Sequence, residues 1–235
     1  MSEHMKRAIE SLKTRLLTLC GIVEENLLKA VASIQRRDLR LAQEVIESDD
    51  RIDDIEVDVE EECLKILALH QPVAIDLRFI ITALKINNDL ERIGDLAVNI
   101  AERGEFLAAQ DRIEVPFDFE GMAQKTTAMV HSSLDALVNM DCALAYRVWN
   151  TDDEVDAINR QMYDQVKQSI QKNPDRIEIL IHMLSVSRHL ERIADHATNI
   201  AEDVIYMVEG HIVRHRHEKY LPRRTETKSK LETNG

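Results

Sequence analysis

LKINNDLERIGDLAVNIAE, residues 84 to 102, returns as LSVSRHLERIADHATNIAE at residues 184 to 202, with eleven of nineteen positions identical at a constant offset of 100. A match of that length in one register marks an internal duplication. Within the first copy Leu84, Leu90, Ile93, Ala97 and Ile100 recur at helical steps, so the repeated block is a helix with one buried face. A second block repeats upstream. Asp38, Leu41, Ala42, Val45, Asp49, Asp50, Asp53 and Ile55 return as Asp141, Leu144, Ala145, Val148, Asp152, Asp153, Asp156 and Ile158, at an offset of 103. A period near 100 exceeds the roughly 20 to 50 residues of solenoid repeats, so each copy reads as a complete three-helix unit with its own core.

Outward from these blocks, the pattern extends over almost the whole chain. Ile9, Leu12, Leu16, Leu19, Val23, Leu27, Leu28, Val31 and Ile34 predict a first helix to about residue 35. Asp38 has the chemistry of an N-cap, and the apolar period then continues to Pro72, which predicts one long second helix. A third runs from about Val73 to near Ala109. DRIEVPFDFEG, with Pro116 and Gly121, interrupts the pattern, which places one three-helix bundle at residues 1–112, a second at 113–213 and a tail at 214–235. Composition agrees: six Gly and four Pro are about 4% of the chain against roughly 12% on average, and only nine residues are aromatic. The expected fold is therefore all-α, as two tandem three-helix bundles.

Forty-three Asp and Glu against thirty Lys and Arg give a net charge of −13, which opposes non-specific binding to nucleic acid or an anionic membrane. The charge is uneven. Residues 211–235 are basic, and their loss of apolar period after Val213 predicts a disordered end; His211, His215 and His217 there form a histidine cluster without an acidic cage. Cys20, Cys63 and Cys142 have no CxxC spacing, the N-terminus lacks a signal peptide's apolar stretch, and no run approaches the ~20 apolar residues of a membrane span. The expected location is the reducing cytoplasm.

Four pairs of the form Asp/Glu-x-x-x-Asp recur at matching places in the two copies: Asp49 with Asp53, Glu91 with Asp95, Asp152 with Asp156, and Glu191 with Asp195. Like charges at i and i+4 share a helix face and destabilise it unless something neutralises them. In the third and sixth helices the stripe continues through Asn99 and Glu102, and through Asn199 and Glu202. The first two pairs are centred 21 residues either side of Pro72, so antiparallel packing sets both ~31 Å from the turn, at the same height. The other two stand almost symmetrically about Pro174. Each bundle is thus expected to bring four carboxylates together.

Such a group must protonate, pair or hold a cation. All-oxygen donors suit Mg²⁺, Ca²⁺, Mn²⁺ or a hard iron ion. Arg92 and Arg192 offer the competing account, neutralisation by ion pairs. His189 and His196 are nearby candidates for auxiliary ligands, but both lie off the carboxylate stripe, which favours surface or inter-helix hydrogen-bonding roles over ligation. No Glu-x-x-His motif, Gly-rich phosphate loop or nucleophile elbow is present. Three classes remain: a metal-bearing adaptor, a metal-dependent phosphate-ester hydrolase, and a metal-free helical scaffold.

LERIGDLAVNIAE, its copy LERIADHATNIAE, the preceding QPVAIDLRFIITALKI and the Asp-rich second helix resemble the PhoU family of bacterial phosphate-signalling proteins. The likeness covers about residues 5 to 213. It implies two tandem three-helix bundles that carry multinuclear clusters of iron or zinc on the acidic motifs, here Asp49, Asp53, Glu91, Asp95, Asp152, Asp156, Glu191 and Asp195. It further implies a non-enzymatic, dimeric, cytoplasmic negative regulator of the phosphate-starvation response. Its implied partners are the ATPase of the phosphate ABC transporter and a membrane-bound sensor histidine kinase. His189 stands where the first repeat has Asp89, a departure from internal symmetry beside the second acidic group.

Overall fold

The structure is a computed structural model describing residues 3–111 and 118–213. Four helices make the first half: α1 (Glu3–Arg36), α2 (Leu39–Glu47), α3 (Asp49–His70) and α4 (Ala74–Ala108). Three make the second: α5 (Phe119–Asn139), α6 (Cys142–Lys172) and α7 (Ile177–Glu209), with a short 3-10 turn at Pro174–Arg176 before the last. The duplication is visible in the caps. Asp38 accepts the Arg40 and Leu41 amides at the head of α2, and Asp141 accepts the Leu144 amide at the head of α6. The predicted tail 214–235, with His215 and His217, and the linker residues around the 112/113 boundary lie outside the described residues. His211 is described, and its Nε2 sits 3.3 Å from Glu209 Oε2.

The long second helix expected to Pro72 is two helices, broken at Ser48. Ser48 Oγ donates to the Val45 carbonyl at 2.8 Å and accepts from Asn26 Nδ2 of α1 at 2.6 Å. Its backbone N–H bonds three residues back, to Val45, which tightens the turn out of α-helical register. The second copy has no such break. Thr151 occupies the equivalent place, bonds four residues back to the Arg147 carbonyl at 2.9 Å, and leaves α6 continuous. Met129 stands where Asn26 does and offers no cross-link.

Each half is a three-helix bundle, α1 with α2–α3 and α4, then α5 with α6 and α7, and the halves pack through α4 against α7 and α1 against α5. Along the α4–α7 contact Lys85 pairs with Asp203, Asp89 with Asn199, and Phe106 stacks on His182 with ring centroids 3.8 Å apart. Numbers rise on one helix as they fall on the other, so the two run antiparallel. Separate cores were expected for the two units. Instead Leu90, Ile93, Ile100, Leu190, Ile193 and Ile200, all fully buried, belong to one continuous apolar cluster. Each such side chain contributes roughly 1.5–3 kcal/mol by leaving water. No described helix is long and apolar enough to cross a membrane.

Candidate metal centres

The acidic pairs face one another as the turn at Pro72 requires. Asp49 and Asp53 sit at the start of α3, and Glu91 and Asp95 sit midway along α4. Asp49 feels the charge of Asp95 across the helix pair, and Glu91 feels that of Asp53. In the second half Glu191 and Asp195 on α7 feel Asp152 and Asp156 on α6. Rung by rung, 49 stands opposite 95 and 53 opposite 91. One repeat later the equivalent rungs are 152 with 195 and 156 with 191.

Electrostatics follow from that geometry. Burial, then repulsion from Asp53 and Asp95, pushes the Asp49 carboxyl above the usual carboxylate range. Glu91 is raised by burial and by Asp95, with Arg92 opposing; Glu191 is raised by burial and by Asp156, with Arg188 opposing. Asp195 moves from 3.8 to about 6, first through burial of its inner side and then through Asp152, Glu191 and Asp156. These acids are penalised for being ionised. Part of the first group is relieved by Arg92, which lies 3.3 Å from Glu91 and 3.1 Å from Asp95. In the second, Arg160 reaches Asp156 only at 3.9 Å.

A raised acid adds stability below its unfolded pKa and loses it as pH climbs through the folded value. For Asp195 that window is about 4 to 6. In chelator-treated protein Asp195→Asn should therefore raise stability at pH 7.5 by about 1 kcal/mol, discounted for solvent on its exposed side. Thermal melts should show a gain of roughly 2–4 °C there and none at pH 4. An unchanged melting point at both values would refute the electrostatic reading.

Among the described residues no three His, Cys, Asp or Glu side chains stand, as oriented, close enough together to hold an ion. The donors nevertheless suit one in kind. Every carboxylate offers hard oxygen, and Asp49 Oδ1 is buried without a hydrogen-bond partner among the described residues, an acceptor that a cation would satisfy. Cys20 and Cys63 are free and buried, their thiols pushed up to about 12 by burial, which keeps thiolates out of this chemistry.

The four outlying oxygen donors behave differently from the expected continuous stripe. Asn99 turns back to donate to the Asp95 carbonyl at 2.7 Å, and Glu102 approaches Arg103 at 3.9 Å. Asn199 reaches across to Asp89 Oδ1 at 3.2 Å, and Glu202 is buried beside Asp203 in a cavity shared with Lys85. Three helical turns of side chains cannot all face one neighbour when α7 also buries a face against α4. Of the surface and inter-helix roles left open by the sequence, His196 takes the second: its Nδ1 donates to Asp89 at 2.8 Å, between the two bundles. His189 Nε2 lies 3.2 Å from Ser185 Oγ, and burial together with Arg103 depresses its pKa to about 4.

Sequence reasoning missed Glu56. It occupies the next rung of the first ladder, where Asn87 Nδ2 donates to its backbone carbonyl at 2.9 Å and to its Oε1 at 3.2 Å. Its spacing of seven from Asp49 was the available signal, but its repeat partner is Asn159, so the duplication concealed it.

Comparison with known proteins agrees with this architecture. The chain is 36% identical over 208 residues to "Phosphate-specific transport system accessory protein PhoU homolog 1" of Thermotoga maritima, spanning 88% of this chain and 90% of the relative. It is 39% identical over 213 residues to the PhoU homolog of Aquifex aeolicus, spanning 91% and 96%. The crystal structure of PhoU from Pseudomonas aeruginosa superposes with a TM-score of 0.84 at 37% identity, covering 88% of this chain and 99% of that one. The PhoU structure from Streptococcus pneumoniae gives 0.78 at 27% identity, covering 89% and 99%. The PhoU domain model matches twice, over residues 16–104 and 119–204, once for each half of the duplication, and the chain belongs to the PhoU family.

Proposed function

We propose that this protein is a metal-bearing accessory regulator of phosphate uptake and phosphate-starvation signalling that acts in the cytoplasm by protein contact. The observation that carries the reading is the repeated ladder of opposed, mutually repelling carboxylates in a chain whose relatives are named phosphate-specific transport accessory proteins. Asp49, Asp53, Glu91 and Asp95 would hold one metal centre, and Asp152, Asp156, Glu191 and Asp195 the other. Iron or zinc follows from the family likeness, and Mg²⁺, Mn²⁺ or Ca²⁺ from the donor set. A bound cation supplies fixed positive charge between α3 and α4 and between α6 and α7. The chain's own part is to set the two acidic rows at one height and to hold them on long rigid helices.

The partners that fit are the ATPase of the phosphate ABC transporter and the cytoplasmic part of a sensor histidine kinase, with the protein dimeric and restraining both. Long helical faces serve such docking without a catalytic constellation. Elemental analysis of protein purified without chelator should find stoichiometric metal. Immobilised protein should retain the ATPase or the kinase fragment at high phosphate. Failure to capture either, with and without phosphate and metal, would end the adaptor reading; turnover of a phosphate ester abolished by Glu91→Gln with Asp95→Asn would replace it with the hydrolase.

A further inference from the structure

The two acidic ladders are built on one plan but end differently. In the first, the rung after 53 and 91 joins Glu56 to Asn87; in the second, the equivalent rung joins Asn159 to Ser187. Ser187 Oγ donates to Asn159 Oδ1 at 3.0 Å, so a neutral amide there already has its donor. An ionised Glu56 carboxylate offers about four lone-pair positions, of which the Asn87 bond uses one. Asn87 is itself 1% exposed, and its amide is anchored independently by the Glu56 backbone carbonyl. Its Oδ1 is buried with no hydrogen-bond partner among the described residues. A buried amide oxygen left bare is costly, and a cation or a cation-bound water relieves it. Glu56 lies one helical turn beyond Asp53 on α3, and its partner Asn87 one turn before Glu91 on α4, so the pair forms the next rung of the same ladder.

We propose that Glu56, positioned by Asn87, is a fifth carboxylate of the first centre and gives it a higher affinity for hard cations than the second centre, where Asn159 takes its place. This rests on the reading above that both centres bind metal. Five acids around the first site against four around the second make the pair unequal although their motifs are the same. Arg92 offsets part of that excess, at 3.3 Å from Glu91 and 3.1 Å from Asp95.

Calorimetric titration of Mn²⁺ into the chelator-treated full chain at pH 7.5 tests it. Wild type should show a tight and a weak class of site, and Asp152→Asn with Asp195→Asn should abolish the weak one. Glu56→Gln, which keeps shape and the backbone bond to Asn87, should weaken the tight class about tenfold and spare the weak one. Asn159→Glu should tighten the weak class, and circular dichroism should show each variant folded. A Glu56→Gln titration indistinguishable from wild type, or a loss shared equally by both classes, overturns the role of Glu56 while leaving the centres standing. A wild type that takes up no Mn²⁺ overturns both.

Discussion

His196→Ala should lower the unfolding free energy by about 3 kcal/mol, because it strips the main donor from a carboxylate held between the two bundles. The Asp89 side chain is 9% exposed and accepts two hydrogen bonds, from His196 Nδ1 at 2.8 Å and Asn199 Nδ2 at 3.2 Å. A carboxylate is an acceptor only, so the facing ring nitrogen carries the proton. Removing the ring leaves the charge buried with one neutral donor, and the desolvation penalty is no longer offset. The effect acts on the junction of the halves, since α4 and α7 meet there. Urea unfolding should show the loss as a lower midpoint with an unchanged slope. Asp89→Leu with His196→Leu should recover most of it, since replacing both partners by apolar groups of similar volume removes the penalty along with the pair. A single variant within about 0.5 kcal/mol of wild type, the scale of an ordinary surface change, would show that solvent reaches Asp89.

The second large effect is stabilisation by cation. Chelator-treated protein supplied with Mn²⁺ at a thousand times its dissociation constant should gain about 4 kcal/mol, or roughly 10 °C in melting temperature at a few degrees per kcal/mol. The gain comes from relieving repulsion already present among Asp49, Asp53, Glu91 and Asp95 and among their four repeats. The combination Asp49→Asn, Glu91→Gln, Asp152→Asn and Asp195→Asn should reverse the order. Without metal it should melt above wild type, and with Mn²⁺ it should not move. Acid should act like the substitutions, because protons compete with the cation as pH falls through about 6, where Asp195 is half protonated. A wild-type melting point indifferent to Mn²⁺ at pH 7.5 would argue for the metal-free scaffold.

Some of this was legible in the chain and some was not, for reasons that differ by residue. Asp38 and Asp141 could be read as caps because capping is local: the side chain and the amides it satisfies lie within three residues. The facing of Asp49 with Asp95 was legible because Pro72 locates the turn and helix rise is constant, so equal distances along the chain become equal heights. Ser48 was not legible as a break. Its conformation depends on Asn26 from another helix, and a serine in an apolar period carries no sign of that bond. Asn199 and Glu202 were misplaced for a related cause: helical spacing puts them in a stripe, but α7 has two partners, and spacing does not say which residue turns to which.

What the amino-acid order alone determined is everything that repeats or recurs at short range: the duplication, the helical class, the caps, and the opposed acidic rows whose heights follow from the turns. Only the tertiary structure decided how the halves join, with α4 antiparallel to α7 around Asp89 and His196, one core instead of two, and Glu56 bonded to Asn87 beside one acidic ladder where the other has Asn159 with Ser187. The physical reason is that an amphipathic period records that a face is buried, through the free energy of removing apolar atoms from water. That free energy is non-directional. The choice of partner for the buried face is made by the few polar groups whose hydrogen bonds have direction, and those bonds form only when distant segments meet.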